Sequence, residues 1–180
     1  GFVYDNINKE FNANIKAYIN LNNGMLKGSS AVDPNLAGYA ILHVDQQKWY
    51  LHVGTPDNRC GIKVKVGVVE LATNAYFMMG YDMPNMPSPP NAVTSILGTP
   101  ASQRDNTIIS NGKGMICGFG VSMAGSYSLS IITANYNAGV GFDLTLKQYP
   151  GVSCDYDNGV HKPLGFHTWY ADAQAYMYLQ

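Results

Sequence analysis

Hydrophobic and polar side chains alternate with a period of two residues after Gly24, and this alternation constrains the fold more than any other feature. In "GIKVKVGV", residues 61–68, isoleucine or valine occupies every even position and lysine or glycine every odd one. This spacing indicates strands with one buried and one exposed face. Turn signals recur roughly every 8 to 12 residues, as they do in antiparallel sandwiches. The sequence therefore predicts a mainly β protein, a single β-sandwich of about ten strands.

The alternating segments also give the expected positions of the strands. We predict strands at 37–44, 48–53, 61–71, 114–123, 126–134, 141–148 and 164–179, with a hairpin within the last of them. The segment "YDMPNMPSPPN", residues 81–91, contains four prolines, which cannot lie in the interior of a sheet. It therefore predicts an exposed loop over 80–91, with Met83 and Met86 at its tip.

The first 24 residues have a different hydrophobic spacing. Apolar side chains recur there every four residues, which is typical of one face of an amphipathic helix; they are Ile7, Phe11, Ile15 and Ile19. The stretch is rich in asparagine, so the helix needs a surface to pack against. We therefore expect one domain, 1–180, with a helical segment at 1–24 packed against a sandwich at 25–180.

The composition limits the classes of function. Hydrophobic residues make up 46% of the chain, which argues against disorder, whereas charged residues make up only 13%. The net charge of −1 gives none of the positive field on which nucleic-acid binding depends, so we expect no nucleic-acid partner. Polarity comes instead from Asn, Ser, Thr, Gly and Tyr, a composition common in secreted, surface-binding β-proteins. We therefore predict a secreted or extracellular protein.

Side chains that could carry out chemistry are scattered along the chain. The four histidines accompany no metal-binding or hydrolase motif, and the aspartates near Tyr149 are typical of turns. We therefore expect no enzyme, no cofactor and no metal site.

The three cysteines, Cys60, Cys117 and Cys154, leave two interpretations open. Free cysteine is often buried as a small apolar side chain, so all three could be thiols. Cys117 and Cys154 could instead form a disulfide, which would close a loop of about 37 residues and stabilise the fold by roughly 3–4 kcal/mol.

Aromatic residues are more informative about binding. The chain has thirteen tyrosines and two tryptophans, and tyrosine combines a flat apolar ring with a polar tip. Half-buried tyrosine is also common on sheets, so those in or beside turns are the better contact candidates: Tyr136, Tyr149, Tyr156, Trp169 and Tyr170. Membrane lipid head groups and cell-surface glycans are the partners that such side chains suit.

Two neighbouring segments, "SYSLSIITANYN" and "GFDLTLKQYPG", resemble the central region of the actinoporins, pore-forming cytolysins with a β-sandwich flanked by helices. The order of Tyr136-Asn137, Phe142-Asp143 and the turn Tyr149-Pro150-Gly151 carries the resemblance. It implies a sandwich fold, a membrane-inserting N-terminal helix, and lipid contacts that include Tyr136 and Asn137. The chain departs from the family at 138–141, where Ala-Gly-Val-Gly replaces an aromatic loop, so the family's lipid specificity is not carried over.

Three functions follow from these features. The first is a membrane-binding, pore-forming toxin that docks or inserts its N-terminal helix and can form a homo-oligomer at the membrane. The second is a secreted carbohydrate-binding lectin or adhesin domain, which explains the uncharged polar surface without a mobile helix. The third is a pilin-like surface subunit. Leakage of dye from liposomes distinguishes the first function from the other two.

Overall fold

The structure, a computed structural model, describes residues 1–7, 10–23, 26–28, 35–84, 86–97, 112–149, 153–154, 161–162 and 168–180. Thirteen strands and one short helix form in these ranges. They are β1 (Phe2–Asp5), β2 (Glu10–Asn20), β3 (Asn22–Asn23), β4 (Leu26–Gly28), β5 (Leu36–Asp45), β6 (Trp49–Val53), β7 (Cys60–Val66), β8 (Val69–Met83), α1 (Asn91–Leu97), β9 (Gly112–Leu129), β10 (Ile132–Tyr149), β11 (Ser153–Cys154), β12 (His161–Lys162) and β13 (Thr168–Leu179). The chain is mainly β, as the alternating sequence predicts.

Eleven of the described strands form one antiparallel sheet around the long strand β8. One edge of β8 pairs with β9, and β10 and β13 follow beyond it. The other edge of β8 pairs with β7 in its first half and with β6 in its second half. Strands β5, β2 and β1 follow β6 outwards, whereas β4 and β3 follow β7. Strands β11 and β12 form a separate two-stranded sheet.

The predicted sandwich is wrong in this respect, because these strands form one continuous sheet and not two packed sheets. The strands predicted at 37–44 and 48–53 are confirmed by β5 and β6. The strand predicted at 61–71 is divided by a turn at Gly67, whose φ of 62° suits glycine. Strand β13 is a single strand over 168–179, without the predicted hairpin, and 163–167 lie outside the described residues.

The longest hairpin joins β9 and β10, each of 18 residues, through a turn at Ser130. The strand predicted at 126–134 is therefore wrong, because the chain reverses within it. Strand β8 pairs with β9 only as far as Gly125, and β13 pairs with β10 only as far as Ala138. The tip of the hairpin, residues 126–135, therefore projects beyond the sheet with every residue exposed.

The predicted N-terminal helix is also wrong. Residues 2–5 and 10–20 form two strands, and β2 pairs with β5 from Asn12 onwards. A spacing of four residues is a multiple of two as well as close to the helical 3.6, so the same hydrophobic pattern fits a strand. Ile7 lies in a turn and is 92% exposed, and Ile15 and Ile19 are exposed on β2 with Phe11 earlier in the same strand. The three isoleucines therefore lack the expected burial against the sheet, and the side chain of Phe11 lies outside the described residues.

The two methionines of the proline-rich segment pack against the protein. Met83 is fully buried and Met86 is half-buried, so the predicted exposed tip is wrong. The carbonyl oxygen of Met83 accepts a hydrogen bond from Lys147, and that of Pro87 accepts one from Gln174. Proline has no N–H to satisfy and keeps its carbonyl group, so a segment rich in proline suits a surface that supplies donors.

Glycine and tyrosine face each other across neighbouring strands, in three pairs on one side of the sheet and in one pair, at Tyr136, on the other. Four tyrosines lie directly opposite a glycine on the neighbouring strand, as Tyr76–Gly118, Tyr136–Gly125, Tyr176–Gly141 and Tyr178–Gly139. In each pair the tyrosine ring occupies the space where a Cβ of the glycine would lie. The rings therefore lie flat on the backbone of the next strand, and no larger residue fits opposite them.

Replacing Gly118 with alanine tests this close packing. A Cβ at position 118 would overlap the carboxylate of Asp143 and the ring of Tyr76, both of which are buried. We expect Gly118→Ala to lower the free energy of unfolding by about 1–3 kcal/mol, the usual cost of overpacking. The control is Ser126→Ala on the same strand, where the side chain is exposed and the change should stay within about 0.5 kcal/mol. Equal urea midpoints for the two variants would contradict the packing argument.

Candidate functional site

The strand register sorts the side chains of β8, β9, β10 and β13 into two faces of opposite character, because directly opposed residues share a face. One face is almost wholly apolar, and we call it the apolar face. Its rows across the four strands are Leu71–Met123–Ala138–Leu179, Thr73–Val121–Val140–Met177, Ala75–Phe119–Phe142–Ala175, Phe77–Cys117–Leu144–Ala173 and Met79–Met115–Leu146–Ala171. The same face continues on β6, β5 and β2 through Leu51, Val53, Leu42, Ala40, Ile15 and Ala17.

Much of the apolar face is open to its surroundings. Val140 and Phe142, in the middle of the sheet, are 49% and 46% exposed, and Met177 and Leu179 at its edge are 79% and 77% exposed. Exposed apolar patches of this extent mark binding surfaces, since water-soluble monomers rarely have contiguous patches above a few hundred Å².

The opposite face carries the polar side chains, and we call it the polar face. Asp143, Thr145 and Lys147 follow one another along β10 on this face, and each is at most 1% exposed. Met83 and Ile116 are equally buried beside them. Two charged side chains and one hydroxyl of β10 are thus hidden while Val140 and Phe142 on the same strand are exposed, the reverse of the usual distribution.

The carboxylate of Asp143 is the centre of a hydrogen-bond network on the polar face. Its Oδ1 accepts hydrogen bonds from Arg59 Nη2 at 2.8 Å and from the hydroxyl of Tyr76 at 3.0 Å. Its Oδ2 accepts one from Gln174 Nε2 at 2.9 Å. Arg59 also lies 4.8 Å from the centre of the Tyr76 ring and donates to Asn74 at 3.2 Å. The buried anion is therefore both paired with a cation and hydrogen-bonded, which is the condition for its burial.

Burial changes the acidity of Tyr76 and Lys147 on this face. Desolvation, reinforced by the negative charge of Asp143, raises the pKa of Tyr76 well above its usual value, so its hydroxyl keeps the proton that it donates. Desolvation lowers the pKa of Lys147 to about 8. Lys147 Nζ donates to the carbonyl of Met83 at 2.9 Å, so the amine helps to hold the proline-rich segment in place.

The contact candidates from the sequence do not form one site. Tyr136 is half-buried over Gly125 near one end of β10, with Asn137 next to it. Trp169 is 58% exposed and lies opposite Gln148 near the other end, about 40 Å away along the strand. Tyr149 and Tyr170 end β10 and begin β13 near Trp169, but their side chains lie outside the described residues, as does Tyr156.

The predicted disulfide is not seen in the structure. Cys117 is a half-buried free thiol on the apolar face of β9, and the side chain of Cys154 lies outside the described residues. Burial raises the pKa of the Cys117 thiol above its usual value, which disfavours the reactive thiolate.

The sequence analysis missed the polar network, although one signal for it was present. In "FDLTLK", residues 142–147, Asp143, Thr145 and Lys147 alternate with three large apolar side chains. The alternation shows two faces but not which one is buried, and Asp143 was interpreted as a turn residue. Arg59 lies 84 residues from Asp143 in the sequence, and no local pattern joins the two.

Comparison with known proteins gives no relative: no family model, curated protein or solved structure matches this chain. The actinoporin resemblance therefore stays a prediction. In the described part of the chain, no helix has the length and hydrophobicity needed to cross a membrane.

The buried amine of Lys147 predicts a specific dependence of stability on pH. Its pKa is near 8 in the folded protein and near 10.4 in the unfolded chain, so the unfolded chain binds more protons between these values. We expect this group to make the free energy of unfolding rise with pH from 8 to 10, by at most about 1.4 kcal/mol per pH unit. The variant Lys147→Met should lack this rise, as measured by urea unfolding at several pH values.

The control for this experiment is Lys63→Met, which removes an exposed lysine from β7. This variant should keep the dependence of the wild type, and subtracting each variant from the wild type cancels the other titrating groups. If the free energy of unfolding changed with pH in the same way for the wild type and Lys147→Met, the amine of Lys147 would be charged in the folded protein, which would contradict the prediction.

Proposed function

We propose that this protein is a membrane protein whose sheet contacts the hydrocarbon of a lipid bilayer with its apolar face. The observation that carries the proposal is the reversed polarity of β10, in which Asp143 and Lys147 are buried while Val140 and Phe142 are exposed. In water this arrangement leaves apolar surface hydrated, at a cost of about 25 cal/mol per Å². In hydrocarbon the same surface is favourable, and the polar groups are satisfied inside the protein.

The dimensions of the apolar face fit a bilayer. From the row that begins at Leu71 to the row that begins at Met79, the face extends eight residue steps, or about 27 Å along the strands. The hydrocarbon core of a typical bilayer is about 30 Å thick. Aromatic side chains that suit the membrane interface lie on the same face beyond both ends, Trp169 at one end and Tyr127 at the other.

The apolar face of the sheet takes the place of the N-terminal helix as the proposed membrane-contacting element. Docking of an N-terminal helix is not available to a segment that forms β1 and β2, so the sheet itself is the membrane-contacting element in our proposal. Pore formation and extracellular location stay predictions from the sequence. We do not favour the lectin or pilin alternative, because neither function requires an open apolar face of this extent.

Charges placed on the apolar face test the proposal. We expect the wild-type protein to float with phosphatidylcholine vesicles in a density gradient, and Val140→Asp and Phe142→Asp to lose most of this association. A carboxylate in the hydrocarbon costs roughly 2–3 kcal/mol or more, which lowers the partition coefficient at least about thirtyfold.

The matched control is Ser126→Asp, an exposed position of β9 on the polar side of the strand. It adds the same charge and should float as the wild type does. The proposal fails if the wild type stays at the bottom of the gradient, or if the two charged variants float as well as the control. Release of a trapped dye from the same vesicles then distinguishes pore formation from binding alone.

A further inference from the structure

Strand β13 forms an outer edge of the sheet, because among the described residues it pairs with no strand but β10. Gln180 exchanges both backbone hydrogen bonds with Asn137, so the even-numbered residues of β13 point their N–H and C=O groups towards β10. The odd-numbered residues from Trp169 to Leu179 therefore point theirs away from the sheet. The amide of Ala173 confirms this direction, since it bonds to the neighbouring Asp172 carboxylate at 3.0 Å and not to β10.

The sequence of the edge strand lacks the features that prevent strand pairing in water, although helix α1 contacts β13. Natural sheets block their edges with proline, lysine, bulges or very short strands. Strand β13 has 12 residues, "TWYADAQAYMYL", with no proline and no lysine, and its pairing with β10 is regular throughout. The apolar face extends to this edge without a polar rim, since Met177 and Leu179 are among the most exposed apolar side chains.

This inference rests on the proposed membrane location. Within hydrocarbon an unpaired row of N–H and C=O groups costs several kcal/mol per group, so a lipid-facing edge needs a partner strand. The first strand of the chain is a poor partner, because β1 has four residues and cannot satisfy an edge of twelve. A second copy of β13 has the required length.

We propose that two copies of the protein associate through antiparallel pairing of their β13 strands within the membrane. The pairing is consistent with both faces of the sheet. The odd-numbered residues of one copy hydrogen-bond to the odd-numbered residues of the other, so Ala173 of one copy meets Ala175 of the other on the apolar face. The apolar faces of the two copies then form one continuous surface. With Gln174 at the two-fold axis, Asp172 of each copy faces Tyr176 of the other, so no two like charges oppose each other.

Cysteine crosslinking in vesicles tests this arrangement. In a background with the three native cysteines replaced by alanine, a mixture of Ala173→Cys and Ala175→Cys should form disulfide-linked dimers on oxidation, because these two positions face each other across the paired edges. Either variant alone should form far fewer, since two copies of one position are diagonal neighbours about 7–8 Å apart. The control is Val140→Cys on β10, which is on the same face and as exposed. Two copies of position 140 would lie at least about 14 Å apart, the width of three strand spacings, which is too far for a disulfide.

A proline at the edge provides a second measurement. The N–H of Ala171 points away from β10, so Ala171→Pro removes an outward donor and leaves the ladder with β10 intact. We expect Ala171→Pro, placed in both cysteine variants, to lower the yield of the mixed 173–175 dimer about tenfold relative to Ala171→Ser, which keeps the N–H. Flotation of each sample shows whether the protein is in the membrane.

The possible results separate this proposal from the membrane proposal. Mixed dimers between positions 173 and 175 that Ala171→Pro suppresses, with none at 140, support edge pairing. Flotation without dimers, or equal crosslinking at 140, overturns edge pairing and leaves membrane binding standing. An intramolecular disulfide between Ala173→Cys and Val3→Cys would show that β1 of the same chain occupies the edge, which also overturns it. Failure of the wild type to float overturns the membrane proposal itself.

Discussion

The fold depends on the burial of one carboxylate. Asp143 is 1% exposed, and an anion in that position is tolerated only when charge and hydrogen bonds compensate it. Its three donors come from different parts of the chain, since Arg59 precedes β7, Tyr76 lies on β8 and Gln174 lies on β13. Losing any of these hydrogen bonds would leave the buried anion less compensated, so each donor is held in place. One side chain therefore connects three parts of the chain that are distant in sequence.

The same network determines which side chains of β10 are exposed on the surface of the protein. Alternate residues of a strand point to opposite faces, so a β10 that buries Asp143, Thr145 and Lys147 must turn the residues between them outwards. The glycines opposite the tyrosines let the strands of the polar face carry flat rings and buried charge together. The proline-rich segment then covers this face through the carbonyl groups of Met83 and Pro87. Hydrogen bonds thus hold the polar face together, and the apolar face is exposed to the surroundings of the protein.

The sequence predicted the class of the fold but not the side of the sheet that is buried. Strands such as β5 and β6 were identified because their alternation and the turn at 46–48 are local signals. The N-terminal strands were not predicted because a four-residue hydrophobic spacing fits both the strand period of two and the helical period of 3.6. The β9–β10 hairpin was missed because its turn contains neither glycine nor proline, and Ser130 adopts a φ of 28° there. The site was missed because the pairing of Arg59 with Asp143 is set by strand order, which no short stretch of sequence encodes.

The hairpin of β9 and β10 reaches beyond its neighbours, and this has a consequence for how the chain tolerates change. A pair of strands with no third strand or covering element is marginal by itself, so the ordered state of 126–135 depends on the sheet at its base. The sheet does not depend on the tip of the hairpin in return, since no other described strand pairs with residues 126–135. Length and sequence can therefore vary at Ser130 and Ile131 without altering the register below them. The projecting hairpin is the natural place for this protein to acquire an insertion.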